Sequence, residues 1–155
     1  MLRRRLAQAG VAIGMLAVAV LGFSPAASAS PTSFVAKAVH ANGAGALAVQ
    51  GTGGLAWYSR SVTLTSVKFY ANAGECGYLT AWGWQGSALL DTYETGLYCG
   101  GSAGQWFTIG NIPLDGSQVS GGITKVEVLV DDYYHYVTGY AECWRTNSVC
   151  TSGQF

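Results

Sequence analysis

Ile123-Thr124-Lys125-Val126-Glu127-Val128-Leu129-Val130 is the stretch whose alternation decides the fold class. Val126, Val128 and Val130 fall on one side of an extended chain and Lys125, Glu127 and Leu129 on the other, the period of two expected of a half-buried strand. Asp131-Asp132 reads as a turn. From Tyr133 to Trp144 the residues Tyr134, Tyr136, Thr138, Tyr140, Glu142 and Trp144 then alternate with His135, Val137, Gly139, Ala141 and Cys143. The two runs read as a β-hairpin.

Upstream the same period recurs. Val62 and Leu64 share one face and Val67, Phe69 and Ala71 the next, with a slip of one residue near Thr65-Ser66 that a β-bulge would produce. Cys76, Tyr78, Thr80, Trp82 and Trp84 alternate with Gly77, Leu79, Ala81 and Gly83, which places bulky residues on one face and small ones on the other. The bulky face, with Trp82 and Trp84, is read as the inner one, with an exposed binding platform as the open alternative. Gln85-Gly86-Ser87 turns into Ala88 to Thr95, Tyr98-Cys99 precedes a Gly-rich corner, and Asn111 to Gly116 carries turn chemistry. Only 10% of residues are charged while 12% are aromatic, a balance suited to pleated surfaces rather than solvated helices. Six to seven short strands are expected in a small antiparallel β-sandwich, immunoglobulin-like or jelly-roll-like, with a small barrel as the alternative.

The first residues supply an address. Arg3, Arg4 and Arg5 precede an apolar run from Val11 to Leu21, and Ala27-Ser28-Ala29 forms a small-x-small cleavage site. The apolar run is shorter than the roughly 20 residues a membrane span needs. Residues 1–29 are therefore expected to be a signal peptide, and the protein to be secreted without a membrane anchor. Of the 155 residues 126 would remain, with five bases facing eight acids, a net charge of −3. Lys37, Arg60, Lys68, Lys125 and Arg145 are scattered, which argues against nucleic acid as a partner.

Residues 30–56 are dominated by Ala and Gly, which bury little surface and lose much entropy on ordering. A flexible N-terminal arm is expected there, ahead of a disulfide-stapled β domain over 57–155. Phe34, Val35 and Val39 are its apolar residues and Lys37 its point charge. Phe34 to Val39 is thus a candidate partner-binding segment, extended-compatible and able to add as a strand to an edge of this protein or of another.

Four cysteines allow three connectivities. Cys76 and Cys99 flank consecutive expected strands and Cys143 and Cys150 bracket a short polar loop, which favours those two pairs. No pair has the spacing of a structural zinc site. Catalytic machinery is equally hard to assemble. His40 and His135 are the only histidines, no G-x-S-x-G elbow is present, and no spacing singles out two carboxyl groups among Glu75, Asp91, Glu94, Glu127 and Glu142. No enzyme activity, cofactor or metal is expected, and Asp131-Asp132 reads as a solvated turn. The aromatic stripe of Tyr134, Tyr136, Tyr140 and Trp144 is the stronger signal, since such residues are enriched at binding surfaces.

The whole plan is a leader, an Ala/Gly-rich arm with Phe34 to Val39, and a β domain with Cys76, Cys99, Cys143 and Cys150. It resembles exported actinobacterial proteins, in particular the small adaptor subunits of umbrella toxin particles. That resemblance is of size and architecture, without a matched motif. It implies a non-enzymatic protein that links a lectin-bearing subunit to a repeat-built stalk, its arm docking in a trypsin-like cleft of another secreted protein. An immunoglobulin reading has Cys76, Trp84 and Cys143 in order but Ala141 where a Tyr belongs. Besides the protein-interaction module, two alternatives stand. A carbohydrate-binding module would use Trp82, Trp84 or Trp106 on a glycan, and a protease inhibitor would present Lys37 or Arg60.

Overall fold

The computed structural model describes residues 29–40, 45–134 and 136–155. Apart from Ala29, the expected signal peptide lies outside the described residues, as does His135. Ten strands follow in order: β1 (Ser33–Val39), β2 (Leu47–Trp57), β3 (Val62–Ala71), β4 (Cys76–Gln85), β5 (Ala88–Glu94), β6 (Tyr98–Cys99), β7 (Gln105–Leu114), β8 (Lys125–Asp132), β9 (Thr138–Trp144) and β10 (Thr151–Gln154). They form two antiparallel sheets, one ordered β1-β2-β3-β7 and the other β10-β9-β8-β4-β5, with β6 also on β4. The fold is all-β, a two-sheet sandwich with Leu64, Phe69, Leu79, Ile112, Leu114, Ile123, Val126, Val128 and Val130 buried between the layers. Each such apolar side chain, fully buried, stabilises by about 1.5–3 kcal/mol. The bulge near Thr65-Ser66 is present: the pairing of β3 with β7 shifts between Leu64 and Val67, and Ser66 has φ 51° with its N–H donated to Asn111 Oδ1 at 3.0 Å.

The stretch expected as a flexible arm is instead β1 and β2 of the first sheet. Phe34, Ala36 and Ala38 are buried while Val35 and Lys37 are exposed, so the segment has the two-residue period of a strand. Its small residues serve close packing. A Cβ on Gly53 would lie 2.7 Å from the Phe34 ring, and one on Gly51 would lie 2.8 Å from the Leu79 side chain. Entropy lost by these glycines is offset by ladder hydrogen bonds on both sides of β2. The outer edge of β1 is covered by the C-terminal strand: Gln154 Nε2 donates to Val39 O and Gln154 Oε1 accepts Val39 N–H, both at 2.8 Å, and Ser152 Oγ donates to Val35 O at 2.9 Å.

Three further expectations are corrected. The strand read from Tyr133 begins only at Thr138, and Tyr133 and Tyr134 form a turn after β8. Trp82 and Trp84 face outward, half-buried, because the sandwich is too tight for them: a Cβ on the inward Gly83 would already lie 2.6 Å from Ile123 Cδ1. Ten strands replace six or seven, the surplus coming from β1, β2 and the short β6 and β10. Both favoured disulfides are present, Cys76–Cys99 joining residues opposite one another in β4 and β6, and Cys143–Cys150 closing the β9–β10 loop.

Candidate functional site

The strand order carries the β1–β2, β3–β4, β6–β7 and β8–β9 connections to one end of the sandwich. Backbone bonds tie them there: Gly74 N–H to Gly101 O at 2.7 Å, Gly100 N–H to Glu75 O at 2.9 Å, and Tyr133 N–H to Cys76 O at 2.9 Å. The Cys76–Cys99 bridge sits beneath them. From this end the β8–β9 tip projects. Asp132 forms its base, its Oδ1 accepting Tyr134 N–H at 3.0 Å while its backbone bonds Val137 O and Tyr136 N–H. Asp132 is 1% exposed and Asp131 half-buried, both within β8, so the pair is a strand end anchored by Asp132 rather than the solvated turn expected.

On that anchor stand Tyr133 and Tyr134, each 54% exposed with rings edge-on at 5.5 Å, and Tyr136, 90% exposed. Tyr136 has φ 56°, a left-handed conformation costly for a residue with a large side chain. Beside the tip lies a pocket of about 250 Å³ lined by Tyr78, Asp131, Asp132, Tyr133, Tyr136 and Thr138. Burial pushes the Asp131 carboxyl above the usual carboxylate range, the Thr138 hydroxyl hydrogen bond pulls the other way, and Glu94 adds to the rise. Burial likewise raises Tyr78, with Asp131 and Glu94 contributing.

The expected partner-binding residues separate into four places. Tyr134 and Tyr136 belong to the tip. Val35, Lys37 and Val39 line a groove of about 400 Å³ with Ser152, Gly153 and Gln154, whereas Phe34 is in the core. Tyr140 and Trp144 lie on the outer face of the second sheet, Tyr140 stacked on Phe155 at 5.0 Å.

That outer face has an order the sequence reading missed. Register places Trp84, Lys125 and Trp144 in one row and Trp82, Glu127 and Glu142 in the next. Lys125 Nζ lies 5.3 Å and 5.5 Å from the Trp84 and Trp144 ring centroids and 3.5 Å and 3.3 Å from the Glu127 and Glu142 carboxylates. Trp144 Nε1 donates to Glu142 Oε1 at 2.6 Å. Tyr133 and Tyr78 were also missed. The alternation that absorbed Tyr134 into a strand left Tyr133 in no pattern, and Tyr78 was grouped with the expected inner face.

Comparison with known proteins gives no match, whether to a family model, a curated protein or a solved structure.

Proposed function

We propose that the protein is a secreted, non-catalytic interaction module that binds another secreted protein through the tyrosine-rich end of the sandwich. The observation that carries this reading is the presentation of Tyr133, Tyr134 and Tyr136 on one short tip, with Tyr136 held in a strained left-handed conformation. Tyrosine offers large contact area, a hydroxyl and few rotors, which is why it dominates interaction loops carried on sandwich scaffolds. Backbone strain of order 1–3 kcal/mol persists only where the surroundings hold it, and it concentrates at binding sites. The two disulfides are consistent with an oxidising extracellular environment, and the leader supports export. A second surface, the outer face of the second sheet, fits an adaptor joining two subunits of an extracellular toxin complex, as the architectural resemblance implies.

Immobilised mature protein should retain a secreted partner from the producing organism's culture supernatant. Replacement of Tyr133, Tyr134 and Tyr136 by Ala should abolish retention while leaving the melting temperature within a few degrees. Retention unchanged by the triple substitution would refute the reading.

One observation favours a second reading. Trp82 and Trp84 lie outside the core on a face that no strand among the described residues covers, as sugar platforms would. A carbohydrate-binding module would lose glycan binding in Trp82→Ala with its fold intact. The inhibitor reading has less support: Lys37 lies within β1, and Arg60 Nη1 is tied to Ser117 O at 2.8 Å.

A further inference from the structure

His40, Glu75 and Asp132 approach one another from three segments. His40 follows β1, Glu75 precedes β4 and Asp132 closes β8, so the cluster joins the two sheets. His40 Nε2 lies 3.0 Å from Glu75 Oε1, and His40 Nδ1 lies 3.8 Å from Asp132 Oδ2. One ligand atom from each residue falls within 4.8 Å of the others. The side chains are 20%, 13% and 0% exposed in that order.

We propose that this cluster binds one divalent transition-metal ion of the zinc type through an imidazole nitrogen and two carboxylate oxygens, with a remaining position open to water. A mixed N/O donor set suits zinc, whereas calcium takes six to eight oxygens. In the tetrahedral geometry that zinc prefers, ligand atoms about 2.0–2.2 Å from the ion lie about 3.3–3.6 Å apart, so the widest pair of the cluster, up to 4.8 Å apart, closes by about 1 Å on binding. The imidazole turns Nε2 to Glu75 and Nδ1 to Asp132, and one ion takes only one of these nitrogens, so metal binding replaces the 3.0 Å contact between His40 and Glu75. Rotation of the partly exposed His40 and Glu75 supplies the closure while buried Asp132 stays fixed.

The Asp132 side chain is held from behind, as metal ligands are, and Glu75 and His40 are fixed through their backbone. Asp132 Oδ1 accepts Tyr134 N–H, Glu75 N–H is donated to Asn72 O at 3.0 Å, and His40 N–H is donated to Ala46 O at 3.0 Å. The ion would clamp the sheets together under the tyrosine tip. This inference stands on the cluster alone and is independent of what the tip binds.

Zn²⁺ alone is titrated calorimetrically into the chelator-treated, disulfide-intact mature protein at neutral pH. The expected result is one saturable site per chain with Kd of about 10 μM or tighter and a raised melting temperature in zinc. His40→Ala and Glu75→Gln should each weaken binding by about tenfold or more while keeping the wild-type near-ultraviolet circular dichroism. No saturable binding up to about 1 mM zinc, or undiminished binding in both variants, would overturn the proposal.

Discussion

Gly139 of β9 packs so closely against Lys37 of β1 that a Cβ at position 139 would lie 1.9 Å from the Lys37 carbonyl oxygen. The two residues belong to different sheets, and their contact draws the first strand onto the second sheet. Gly139→Ala should therefore cost about 3 kcal/mol or more, the upper range for overpacking, because backbone rather than a flexible side chain must move. Urea denaturation of wild type and variant measures this. A loss below about 0.5 kcal/mol, the range of ordinary surface changes, would show that β1 is not pinned there.

Trp82 tests which face of β4 is inward. Half-buried on the outer face, it should cost about 1–2 kcal/mol on truncation to Ala, against about 3–5 kcal/mol for Phe69→Ala in the core. Equal losses for the two variants would return Trp82 to the interior.

The disulfides differ in the loop each closes, with sequence separations of 23 for Cys76–Cys99 and 7 for Cys143–Cys150. Restriction of the unfolded chain makes the longer loop the more stabilising, by about 1 kcal/mol. Cys76→Ala/Cys99→Ala should melt lower than Cys143→Ala/Cys150→Ala. The reverse order would mean that native packing around Cys143 outweighs loop entropy.

Asp131 gives a pH dependence with a definite sign. Its folded-state pKa is raised, chiefly by burial, so the folded state holds its proton more tightly than the unfolded one. Its favourable contribution is present below the unfolded value of about 3.9 and is lost as pH rises through the folded value. Asp131→Asn should accordingly gain stability relative to wild type at neutral pH, with the gain shrinking toward pH 3. Melting curves across that range decide it. A variant destabilised equally at every pH would show that the Thr138 hydrogen bond dominates instead.

The sandwich class, the Thr65-Ser66 bulge and both disulfides were legible because each has a local cause: alternation, a phase slip, or cysteines bracketing adjacent elements. The first two strands were not. Ala36, Ala38, Gly51 and Gly53 look like slack by composition, and only the facing Phe34, Leu79 and Val130 make small residues necessary there. Trp82 and Trp84 misled for the same reason. Alternation gives two faces but not which is inward, and that choice rests on the Gly83 to Ile123 contact across the sandwich. Tyr134 and Tyr136 were singled out by residue type. Their grouping with Tyr133 depends on Asp132 folding the tip back, a long-range outcome that alternation does not encode.

Recognition through the tip is tested most directly by calorimetric affinity for the partner purified from culture supernatant, with two sets of variants compared side by side. Tyr134→Ala/Tyr136→Ala should weaken binding by at least about 30-fold, the loss of one hot-spot residue or more, while Trp82→Ala/Trp84→Ala stays within a few fold of wild type. Wild-type affinity in the tyrosine variant, with binding lost in the tryptophan variant, would contradict the tip as the binding site and move recognition to the outer face of the second sheet.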